Sequence, residues 1–73
     1  MEYSIRQDIA KQKYELELDS LRLFELTTHL TNIKSENQSD YAIDLTTNSI
    51  DIVKLKIARH KIELRELNSR LSS

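Results

Sequence analysis

The chain has 73 residues, a formal net charge of −1, and no cysteine, glycine or proline. A core of this size supplies only about 3–5 kcal/mol without a further staple. No disulfide can form, and two histidines without a thiolate do not make a structural zinc site, so burial has to be completed by association.

Acidic and basic residues are interleaved, which leaves no bulk field drawing the chain to nucleic acid or an anionic membrane. The longest uncharged run is far too short to span a bilayer. Lacking Gly and Pro, the chain lacks its strongest punctuators, and long uninterrupted helices are expected. The opening hexapeptide Met1-Glu2-Tyr3-Ser4-Ile5-Arg6 has no apolar h-region, so no signal peptide and a cytoplasmic location are expected. The absence of cysteine fits that compartment.

In the first half, Ile9, Leu16, Leu23 and Leu30 recur every seven residues, with Ile5, Leu26 and Ile33 at a second heptad position. Gln12 and Asp19 interrupt that second position. Tyr14-Glu15-Leu16-Glu17-Leu18 alternates like a half-buried strand, but a lone strand has nothing to pair with. The flanking periodicity predicts a helix over about residues 3–35. The hexapeptide from Ser35 to Asp40 is wholly polar and rich in side chains that bond local backbone, which predicts a turn over about 36–39.

A second helix over about 40–71 follows, with Ser39 as its N-cap and Asp40 at the positive end of its dipole. Asn48 with Asp51 offers a later, capping-box-like start. The earlier start is preferred because Ile43 already belongs to the seam of Ile43, Ile50, Ile57, Leu64 and Leu71, which Val53 and Leu67 complete.

One continuous helix would carry the first heptad on to positions 37 and 44, yet the second begins at 43. A skipped residue across a polar hexapeptide points to a turn between antiparallel helices. Folding the chain about Gln38 sets Ile33 opposite Ile43, Leu26 opposite Ile50, Leu23 opposite Val53, Ile9 opposite Leu67 and Ile5 opposite Leu71. Leu30–Thr46, Leu16–His60, Asp19–Ile57 and Gln12–Leu64 form mixed layers. Flanking charges agree less well: Asp8 falls near Arg70, but Lys13 near Lys61 and Glu15 near Glu63. Exposed pairs are worth only about 0–1 kcal/mol, so the apolar pattern decides. The fold class is therefore all-α: one domain over residues 1–73, a coiled-coil-like antiparallel helical hairpin, completing a four-helix bundle by dimerisation or with a partner.

Association is expected because each helix carries a second apolar row. Ala10, Tyr14, Leu18, Leu21 and Phe24 lie outside the first seam, and Leu45, Ile52, Leu55 and Ile62 outside the second. An isolated hairpin cannot cover both rows, and exposed apolar patches of that extent mark interfaces. Self-association and docking of a different protein both satisfy this pattern.

Weaker signals remain. Asp19 and His60 fall about one turn apart across the seam, where an ion pair sensitive to pH competes with a simpler arrangement in which Asp19 escapes to solvent and His60 packs on Leu16. The simpler arrangement is expected. His29 is expected at the surface, and it would lie about 20 Å from His60, which rules the two out as a metal pair. Lys54, Lys56, Arg59, Lys61 and Arg65 make the second helix locally basic, the pattern that suggests phosphate binding. These charges spread around the helix, Glu63 and Glu66 interrupt them, and no aromatic is interleaved, so a solvated surface is expected and nucleic acid is the lesser reading. No thiol nucleophile, glycine-rich phosphate loop or spaced Ser/His/carboxylate set exists, so neither enzymatic activity nor a cofactor is expected.

With its closed seam and its open rows, this short cysteine-free α-hairpin resembles the small co-chaperones of type III secretion needle subunits. The resemblance implies a bacterial cytoplasmic chaperone that joins a larger helical-repeat protein and shields an aggregation-prone helical client. A second reading is a homodimeric four-helix bundle that binds RNA through the basic second helix, similar to plasmid copy-number regulators. A third, a small phage- or plasmid-borne inhibitor of a host protein, would use the same exposed face.

Overall fold

A computed structural model describes residues 2–72. Two helices, α1 (Glu2–Ser35) and α2 (Asp40–Ser72), account for nearly all of it and pack antiparallel along their full length. The molecule is a rod of 53 × 14 × 13 Å. Its long dimension is close to what 34 residues rising 1.5 Å each would give. Every residue of both predicted seams is buried or half-buried.

The turn is built without glycine. Asn37 takes the left-handed conformation with φ 56°, and two backbone bonds close around it: the amide of Gln38 donates to the carbonyl of Ile33 at 3.0 Å, and that of Asn37 to Lys34 at 3.3 Å. This is a Schellman ending, in which the residue after the cap usually is Gly and otherwise often Asn. Asn37→Gly is therefore expected to raise stability by up to about 1 kcal/mol and Asn37→Val to lower it by about 1–2 kcal/mol, measured as shifts in urea midpoint. Two residues on, the Ser39 hydroxyl accepts from the amide of Ala42 at 3.3 Å, and the amide of Ile43 donates to the Ser39 carbonyl at 3.2 Å, so α2 starts on an N-cap.

The core is thin. Ile9, Ile33, Ile50, Val53 and Thr46 are buried, at 3–8% exposure, and no described side chain is wholly enclosed. Two cylinders in contact along one line leave every seam residue a flank open to water, which limits how much this hairpin can bury alone. Thr46 is accommodated opposite Leu30 because its hydroxyl donates to the Ala42 carbonyl at 2.9 Å within its own helix. Thr27, Thr31, Thr47 and Ser49 bond back to the preceding turn in the same way.

Candidate docking edges and the polar layer between them

The apolar rows outside the seam are fully part of the surface. Tyr14, Leu18, Leu21 and Phe24 on α1 and Leu45, Ile52, Leu55 and Ile62 on α2 are 48–70% exposed. Ala10 is exposed as well. Tyr3 at 72% and Tyr41 at 76% extend the rows beyond the residues picked out by pattern. Both had a readable signal, since Tyr3 stands one heptad before Ala10 and Tyr41 two heptads before Leu55.

At 100° per residue, the outer row points roughly 170° away from the seam on α1 and roughly 150° away on α2. The hairpin is thus a coiled rod on which two polar faces alternate with two apolar edges, one per helix, that wind with it. In a closed four-helix bundle each helix turns its second contact about a quarter turn from its first; here the second contact is nearly opposite. A single added hairpin or helix, lying along one edge, covers one row and leaves the other open.

Inside the seam, the two polar interruptions of α1 share one partner. His60 on α2 reaches Gln12 Oε1 through Nδ1 at 2.6 Å and Asp19 Oδ2 through Nε2 at 3.1 Å, with Glu15 Oε2 at 3.8 Å from Nδ1. The side chains of His60 and Asp19 are only 15% and 19% exposed. Asp19 does not escape to solvent as expected; the imidazole spans the heptad between Gln12 and Asp19. Which ring nitrogen donates follows the tautomer. A half-turn of the Gln12 amide would let its NH2 donate to Nδ1 and satisfy the neutral ring protonated on Nε2. No buried side-chain nitrogen or oxygen among the described residues lacks a partner.

His29 is exposed. Among the described residues no three His, Cys, Asp or Glu side chains converge to hold a metal ion. Lys54, Lys56, Arg59, Lys61 and Arg65 are exposed but do not form one surface. By helical angle Lys54 and Lys61 belong to one polar face, Lys56 to the other, and Arg59 and Arg65 flank the outer edge. No described helix is long and apolar enough to cross a membrane.

Fold and surface together define an antiparallel helical hairpin with a closed polar-layered seam and two open apolar edges. Comparison with protein-family models, curated proteins and solved structures found no match to this chain.

Proposed function

We propose that the chain is a non-enzymatic protein–protein interaction module whose edges each receive an amphipathic helix, acting as a small cytoplasmic chaperone that shields a helical client such as a secretion-apparatus subunit. The observation that carries this reading is the pair of outer rows, apolar and about half or more exposed on an otherwise charged rod. A linear apolar row on a helix is matched by the ridge of another helix, which buries it along its length without asking for a concave pocket. The thin seam supports the same reading, since a hairpin with so little enclosed core gains most from a third helix.

Titrating a fluorescent 21-residue peptide with one Leu-rich helical stripe tests it by anisotropy. Saturable binding is expected, with at least a tenfold loss of affinity in the double variant Leu21→Asp/Leu55→Asp while circular dichroism stays helical. No binding, or binding undiminished in that variant, would remove the docking edges from consideration. For the chaperone role, the wild-type chain is expected to slow the aggregation of a purified needle-type subunit and the double variant not to.

A further inference from the structure

The two polar faces differ in charge, and the register of the seam gathers the unmatched cations on one of them. Steps of seven from Arg6 along α1 give Lys13, Ser20 and Thr27; the facing steps along α2 give Asn68, Lys61, Lys54 and Thr47. All eight are exposed, and none is a carboxylate. The next step reaches Lys34 and Asp40, which oppose each other at the turn. Arg6, Lys13 and Asn68 line one groove with Ile9 and Leu71, so the two flanks share a side of the seam. Charges on the other face are mixed: Lys11 and Arg70 share a groove with Asp8, Glu63 and Glu66, and Lys56 and Arg59 share another with Glu15 and Asp19. Among the described residues, Lys13, Lys54 and Lys61 have no ion-pair partner.

We propose that this cationic face docks a helix of a protein partner whose carboxylates recur every seven residues. Lys13 opposes Lys61 across the seam, a repulsion from which the free hairpin gains nothing. Lys54 and Lys61 stand about 10 Å apart along the rod, the rise of seven helical residues. A helix laid along the groove presents every seventh residue at the same repeat and on one side, so a single acidic row meets the lysines together. Nucleic acid fits this face less well. The cations occupy only about 20 Å of its length, and beyond them Thr27 and Thr47 turn their hydroxyls back to their own backbone. By helical angle Glu17 and Asp51 stand on the shoulders of the face, where they repel a uniform polyanion. The surface is separate from the apolar edges and adds a second contact that does not depend on them.

Anisotropy of a labelled helical peptide of about three heptads, with one glutamate per heptad, tests the face at low ionic strength. Saturable binding is expected, weakening about fivefold or more as salt rises to about 0.3 M. Lys13→Gln/Lys61→Gln is expected to lower the affinity about tenfold or more, whereas Lys11→Gln/Lys56→Gln, which removes the same charge from the other face, is expected to change it less than about twofold. Equal losses in the two variants would overturn the proposal, because bulk charge would then suffice, and so would no binding to the wild-type chain. A peptide of the same composition with its glutamates dispersed around the helix is expected to bind several-fold more weakly; equal affinity would overturn the seven-residue match. A uniform single-stranded RNA that bound more tightly than the peptide, and was lost in the Lys13/Lys61 variant, would overturn the proposal in favour of nucleic acid. Lys13→Glu alone separates docking from folding, since it sets a carboxylate opposite Lys61. Its urea midpoint is expected to hold or rise while peptide affinity falls, and a midpoint that fell together with the affinity would overturn the assignment.

Discussion

Ile50→Asp is expected to abolish the cooperative helical fold, whereas Leu55→Asp, five residues further along the same helix, is expected to leave the helicity intact. Ile50 is 5% exposed and faces Leu26 across the seam; Leu55 is 70% exposed on the outer edge. A carboxylate at position 50 either stays charged without a partner or takes up a proton while still displacing apolar contact, at a cost of about 4 kcal/mol or more. That is the whole stability a hairpin of this size commands. Ellipticity at 222 nm through a urea titration separates the two variants. Leu26→Asp against Leu21→Asp makes the same comparison on α1, and equal behaviour within either pair would mean that the seam and the edge are not distinct.

The second large effect is expected at the polar layer. His60→Ala removes the one partner shared by Gln12 and Asp19, so a loss of about 1–3 kcal/mol is expected in the urea midpoint. Replacing the layer as a unit is expected to behave in the opposite way. With Gln12, Asp19 and His60 all changed to Leu, no polar group has to leave water, and stability is expected to equal or exceed that of the wild type.

What that triple variant is expected to lose is uniqueness of pairing, because a polar layer within an apolar seam penalises arrangements that separate its members. The chain has no cysteine of its own, so Leu23→Cys with Val53→Cys reports the facing pair by crosslinking. Oxidation is expected to give an intramolecular bridge in the wild-type background and a share of intermolecular products in the all-leucine one. An undiminished intramolecular yield would show that the turn alone sets the pairing.

The seam was legible because burial of a straight line between two helices imposes the heptad, and Ile43 to Leu71 repeats it without a break. The two outer rows were legible for the same reason, although their placement on opposite edges follows only when helical angle is measured from the seam. The role of His60 was not legible. Gln12 and Asp19 read as separate defects along α1, and only the packed helices show that one ring bridges both. The polar hexapeptide placed a turn over 36–39 without singling out Asn37, although in a chain without glycine Asn is the residue that most readily takes the positive φ found there. A client's identity leaves still less trace, because an apolar row specifies the shape and polarity of what covers it and little more.

Antiparallel pairing from a single tight turn also orders the seam in time. Ile33 meets Ile43 by closing a short loop, whereas Ile5 meets Leu71 only by bringing together nearly the whole chain, and the entropy of closure rises with loop length. Once the turn has formed, however, each further pair closes only a few new residues, so association proceeds as a zipper from the Asn37 end at low contact order. The opposite end, where Ile5 meets Leu71, is the last to close and the first to open. Amide exchange is accordingly expected to be slowest around Ile50 and Val53 and to quicken steadily toward Ile5 and Leu71.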